Sequence, residues 1–213
     1  MKTWEPTIGK WDDDENYVTI EPAWKRALAF AREKYNADNV ILEYKDGVEK
    51  KSITFLEFTQ KVLSVFINEI NRRDDTILCL AALCHVAEKT GTTIEEIKQH
   101  CSFCNLDILH EFLCADFTAM NKYLEHVLNS DCSYGVKEIV LVEALCYLRL
   151  EECPCEDWEK DLKYFSLIED VLNTADDSHE FLVMKIKDQI LINKDISRNR
   201  NKTAEELFSG WED

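Results

Sequence analysis

Residues 80–97 read Leu80-Ala-Ala-Leu-Cys-His85-Val-Ala-Glu-Lys-Thr90-Gly-Thr-Thr-Ile-Glu-Glu-Ile97, and the fold is decided by how this stretch is read. Asp74 and Asp75 stand ahead of it as helix caps, and the apolar run predicts a helix to about residue 89. Thr93, with Glu96 three residues on, opens a further helix to about residue 100. Cys84, His85, Glu88 and Lys89 are the groups within the run that carry chemistry.

The flanks repeat the helical pattern. Thr54-Phe-Leu-Glu57 is a capping box that starts a helix to about residue 71. Pro22 suits a first helical turn, and residues 23–35 carry apolar side chains at helical spacing. Residues 36–52 read as a loop with a short extended pair around 40–44 and 48–53. Downstream, helices are predicted over 106–113, 116–128, 135–150, 156–172 and 178–192. The segment 1–21, with Asp12-Asp-Asp-Glu15, reads as an acidic N-terminal arm. Residues 193–202 read as a polar linker to a short amphipathic tail, so the expected domain spans 22–192.

The 213 residues suffice for one packed domain, and 46% hydrophobic content fits a globule rather than a disordered chain. Only five Gly and three Pro favour helices over tight turns, so the expected class is all-α, an irregular helical bundle. No apolar run approaches the roughly 18 residues of a membrane span, and Met1-Lys-Thr-Trp-Glu5 is no signal peptide. The expectation is a soluble, cytoplasmic protein. A formal charge of −17 disfavours nucleic-acid backbones and anionic membranes, and it suits a basic protein partner. Nine cysteines, scattered through apolar helical stretches, read as reduced core thiols. Cys101-Ser-Phe-Cys104 is half of a zinc-ribbon signature without its second half.

Three stretches in order resemble the RelA/SpoT-type HD phosphohydrolases. Residues 80–90 resemble the family's A-A-L-L-H-D-V-V-E-D-T motif. Residues 135–149, G-V-K-E-I-V-L-V-E-A-L-C-Y-L-R, align without gaps to its G-x-K-L-V-K-L-A-D-K-L-x-N-L-R. The helix from Ala27 to Tyr35 looks like its opening A-x-x-F-A-x-x-x-H helix, and Trp158 and Tyr164 fall where the family has a W…Y helix. The resemblance covers about residues 22–175. It implies an HD-domain-like helical bundle and, in an intact member, metal-dependent alarmone hydrolysis.

The departures fall on the residues that the resemblance makes functional. The family binds metal through an upstream His, a His-Asp pair and a downstream Asp, a set suited to harder ions such as Mn²⁺. The upstream His belongs within residues 55–61, which contain none. The His-Asp pair is Cys84-His85, and the downstream Asp is Glu143. A register slipped by one aligns His85 with the family's His but leaves Val86 as its partner, so the pair is broken in either register. The family's catalytic Glu-Asp is Glu88-Lys89. Tyr35 replaces the histidine of the first helix, Tyr147 replaces the asparagine expected near the ribose, and the loop 36–44 lacks any basic residue.

The resemblance therefore implies a degenerate member with no catalytic residue beyond a vestigial Glu88. On a family-like fold Cys84, His85 and Glu143 would lie together. They would hold a soft metal site, or alternatively Cys84 would fill space while His85 hydrogen-bonds Glu143 without metal. Glu88 is expected to pair with Lys89 or Lys137. The expected function is a regulatory or protein-binding module without cofactor, its nucleotide binding left open. The alternative is a divergent phosphohydrolase with one Zn or Mn ion. A protein-only, antitoxin-like adaptor is a third reading. Trp4, Trp11 and Trp211 lie in the two tails.

Overall fold

A computed structural model describes residues 8–11, 17–114, 120–200 and 202. The acidic run 12–15, the start of the helix expected at 116, and the tail with Trp211 lie outside the described residues, as do the side chains of Trp4 and Trp11. The fold is all-α. Its only strands are two short antiparallel pairs, β1 (Ile8–Trp11) with β2 (Tyr17–Ile20), and β3 (Ile41–Asp46) with β4 (Glu49–Thr54). The first pair, in register Ile8 with Ile20, lies in the stretch read as an arm without periodicity. The second is the extended pair anticipated after the first helix. The chain divides into two compact units, residues 1–40 with 54–114 and residues 41–53 with 115–213.

In the first unit, α1 (Ala23–Ala37) buries Ala27, Ala31 and Tyr35, one residue per turn along a single face. It packs against α2 (Phe55–Ser64), α3 (Asp75–Leu83) and α4 (Val86–Thr90). Its cap comes from another helix: the Asp75 carboxylate accepts from the backbone N–H groups of Ala23 (3.0 Å) and Trp24 (3.3 Å). These are two of the donors that every helix start leaves orphaned. The capping box forms as expected, Glu57 N–H donating to Thr54 Oγ1 (3.1 Å) and Thr54 N–H to Glu57 Oε2 (2.8 Å). Those bonds hold the Glu57 carboxyl below its ordinary range. The helix expected to reach residue 71 changes at Val65–Glu69 into a π-helical turn.

The helix expected to reach residue 89 is interrupted at the motif itself. Cys84 caps α3, and His85 adopts φ −103°, ψ 0°, the sparsely populated bridge region, before α4 begins. Gly91 then ends α4 at φ +66°, a left-handed conformation that favours glycine even though a Cβ there would meet nothing within 4 Å. The helix α5 (Ile94–His100) starts on Thr93 as expected, its hydroxyl accepting from Glu96 N–H (3.1 Å). A 3-10 helix spans Asp107–Cys114. The cysteine reading needs a correction here, because Cys79 and Cys104 form a disulfide with Cα atoms 6.6 Å apart. The 25-residue separation gave no sign of it, since only packing brings α3 and the segment after α5 within the narrow range a bridge tolerates. Cys104 is thereby removed as a zinc ligand.

The second unit is organised by α7 (Tyr134–Leu150), which buries residues on every face, Val136, Ile139, Val140, Leu141, Val142, Ala144, Leu145 and Leu148 among them. It packs on α6 (Met120–Leu128) and α9 (Glu180–Asn199); α8 (Trp158–Leu172) packs on both of those. The last helix continues through the stretch read as a polar linker. Two polar residues of that stretch are buried because they have partners: Asn193 Nδ2 donates to Leu148 O (2.8 Å), and Ser197 Oγ donates to Asp161 Oδ2 (2.6 Å). Asp161 is fully buried and also accepts from Cys155 N–H (2.7 Å) and Arg200 Nη2 (3.3 Å). The β3–β4 turn uses Gly47 at φ +64°, whose N–H donates to Cys153 O. A Cβ at Gly47 would stand 2.9 Å from Arg200 Nη1, so the position is restricted twice.

Candidate functional site

The motif residues of the first unit sit at the break between α3 and α4. Cys84 is buried, its thiol donating to Ala81 O at 3.5 Å. His85 is buried with its ring edge-on to Phe55, centroids 5.3 Å apart, and Phe55 in turn meets Tyr35 and Phe58. The window where the resemblance places the upstream histidine therefore contributes Phe55, Phe58 and Thr59 to the core. No imidazole is available there for a metal.

Glu88 is held by its neighbours. Its Oε2 lies 3.2 Å from His85 Nδ1, and its Oε1 accepts from Lys89 Nζ at 2.5 Å. Burial pushes the Glu88 carboxyl up, but the hydrogen bonds from His85 and Lys89 outweigh it and leave the pKa below the ordinary value. A general base for water attack needs a pKa nearer neutrality and a free lone pair aimed at the water. The pairing with Lys89 is the contact expected from the sequence. Lys89 also stands 5.8 Å from the Phe55 ring centroid.

In the second unit, Glu143, Tyr147 and Glu151 follow at intervals of four along one face of α7 and its C-cap. Glu143 is buried and accepts from Tyr123 Oη of α6 at 3.0 Å. Tyr147 and Glu151 line a cavity of about 340 Å³ with Glu43, Tyr44, Lys45 and Lys50 of the β3–β4 hairpin. Glu151 is only 7% exposed; its carboxylate accepts from Tyr164 Oη (3.1 Å) and from Lys45 N–H (3.4 Å). Burial raises its pKa to about 7, against the lowering effect of those bonds. The Tyr147 and Tyr164 phenols are pushed up by burial and then by the facing Glu151.

Glu151 was not singled out from the sequence. The signal was present, since it stands one turn past Tyr147 as Tyr147 stands one turn past Glu143, but acidic residues at a helix end are usually solvated. Lys45 and Lys50 line the cavity, whereas Lys51 turns to Asp46 at 2.7 Å. Adjacent strand residues point to opposite faces, which separates Lys50 from Lys51.

Cys84 and His85 are thus adjacent in the first unit, with Glu88 against His85, while Glu143 belongs to the second unit and has its own phenol partner. A thiol, an imidazole and a carboxylate are zinc-type donors rather than the oxygen-rich set that harder ions require. Each is already committed to a protein group: Cys84 to Ala81 O, His85 to Glu88, Glu143 to Tyr123. The residues present do not fit the hard ion of the intact family.

No family model matches the sequence, and no curated protein matches it. Among solved structures, the chain is similar to a metazoan orthologue of SpoT, described as hydrolysing ppGpp and playing a role in starvation responses. The TM-score is 0.58 at 17% identity, over 86% of this chain and 98% of that one. What the two share is the fold: the chain is an all-α, HD-like helical protein.

Proposed function

We propose that the chain is a catalytically degenerate HD-fold protein that works as a regulatory or protein-binding module. The observation that carries this reading is the state of Glu88, pinned between His85 and Lys89 beside an aromatic core where the first metal histidine belongs. Without a metal-activated water, a carboxylate so engaged has nothing to deprotonate. Cys84, His85 and Glu143 are then remnants of a metal site, no cofactor is needed, and the surface of a chain with charge −17 suits a basic protein partner. No helix among the described residues is long and apolar enough to cross a membrane. A cytoplasmic location belongs to the same proposal, although the Cys79–Cys104 bond weighs against a reducing compartment.

The alternative, a divergent phosphohydrolase with rearranged ligands, draws on the zinc-type chemistry kept by Cys84, His85 and Glu143. Two measurements decide between them. Protein purified without chelator should contain no stoichiometric zinc or manganese, and ppGpp with added Mn²⁺ should remain intact. Turnover near the usual enzyme median of about 10 s⁻¹, abolished by Glu88→Gln, would replace the proposal with the hydrolase.

A further inference from the structure

The helix α9 is amphipathic in an unusual way. Its inner face buries Leu182, Val183, Ile186, Ile190, Asn193 and Ser197. Its outer face also carries large apolar side chains: Phe181, Met184, Leu191 and Ile192 are 54%, 55%, 57% and 53% exposed. At 100° per residue these four fall within a sector of roughly 100°, and Ile196 extends its edge. A contiguous exposed apolar stripe on a soluble fold marks an interaction surface. Asp188 stands in the middle of it without a hydrogen bond or ion pair among the described residues. Lys185 flanks it, Nζ 5.3 Å from the Phe181 ring centroid.

We infer that this stripe is a self-association face, occupied by α9 of a second copy in antiparallel orientation. The argument is the placement of charge. A two-fold axis crossing the helix between Ile186 and Lys187 sets Phe181 opposite Ile192 and Lys185 opposite Asp188, and symmetry makes each pairing twice. Apolar groups then meet apolar groups, and the unpartnered Asp188 gains an ammonium at both ends of the contact. The net charge of −17 per copy does not forbid this, because charges beyond about 8 Å are screened at physiological salt while the Lys185–Asp188 pairs act within that distance. Half-exposed, these five side chains offer on the order of 400 Å² of apolar surface per copy, about half of a standard interface. The dimer is accordingly weak, with a dissociation constant in the micromolar range, and concentration-dependent. This inference does not depend on the proposal of lost hydrolase activity.

Sedimentation equilibrium of the full chain tests it, from about 2 to about 200 µM protein at roughly 0.05 and 0.5 M salt. The expected result is a monomer–dimer equilibrium that tightens several-fold at the higher salt, as repulsion between the two acidic bodies is screened. Met184→Asp and Leu191→Asp, both at exposed positions that leave the core untouched, should each give a monomer throughout the range. Lys185→Asp and Asp188→Lys should each weaken the dimer, and the double variant should recover it. A monomer under all conditions overturns the inference, as does a dimer indifferent to Met184→Asp and Leu191→Asp. A double variant no better than the singles overturns the antiparallel pairing. So does a monomeric chain whose stripe instead binds a basic amphipathic peptide of Leu and Lys, since the occupant would then be a different partner.

Discussion

Replacing Glu151 by glutamine should flatten the pH dependence of stability near neutrality. The carboxyl is buried at the end of α7, and its pKa is raised to about 7 from the ordinary 4.5. A pKa higher in the folded than in the unfolded state means that the native protein binds more protons between those two values. Stability from this group is complete below about pH 4.5 and is lost as pH rises through 7. A shift of about 2.5 units corresponds to about 3 kcal/mol, an upper figure because the burial that causes it relaxes when the group ionises. Glutamine keeps the shape and still accepts from Tyr164 or Lys45, but it cannot ionise. Urea unfolding at 25 °C, repeated from pH 5 to 8.5, should show the variant gaining about 2–3 kcal/mol on the native protein across that window. Only the difference between the two proteins is informative, because 42 acidic residues titrate in both. Two stability curves that stay parallel over the whole range would refute the argument, for Glu151 would then ionise in the folded chain as it does in the unfolded one.

Removing the carboxylate that caps α1 from a distance, Asp75→Ala, should cost about 1–2 kcal/mol by denaturant titration, as for a lost N-cap; no loss would mean the Ala23 and Trp24 N–H groups find water equally well. In native protein, Cys101 and Cys155, whose thiols are both pushed up to about 11 mainly by burial, should label slowly with a thiol reagent at pH 8, and non-reducing digestion should recover Cys79 joined to Cys104. Rapid labelling of both thiols, or a free Cys79, would contradict the packing described. Guanine and adenine polyphosphates should produce no thermal shift at low salt, because the 36–44 loop has no basic residue and Lys45 and Lys50 share their cavity with Glu43 and Glu151. A shift of several degrees that disappears in the Lys45→Ala, Lys50→Ala double variant would return ligand binding to this cavity.

Local rules carried much of the fold into the sequence. The capping box at Thr54, the Thr93 start, the break near Gly91 and the extended pair around Gly47 all depend on residues within four positions of one another, and all formed as read. The reading failed where a local preference was overruled from afar. Residues 193–199 look polar enough for a linker, yet Asn193 and Ser197 find buried acceptors at Leu148 and Asp161 and the helix goes on. The apolar run through Cys84 and His85 gives no local reason to stop, yet α3 ends there.

By itself, then, the sequence determined the all-α class, the order of the helices and the loss of the motif residues, because periodicity, caps and residue identity are local properties of the chain. Only the tertiary structure decided what the remaining polar groups do. It buried Glu151 under Tyr164 and raised its pKa, committed Glu88 to Lys89 and His85, gave Glu143 to Tyr123, and joined Cys79 to Cys104. Protonation state, pairing and exposure depend on the solvent that packing removes and on partners distant in the chain, and neither is written in any short stretch of residues.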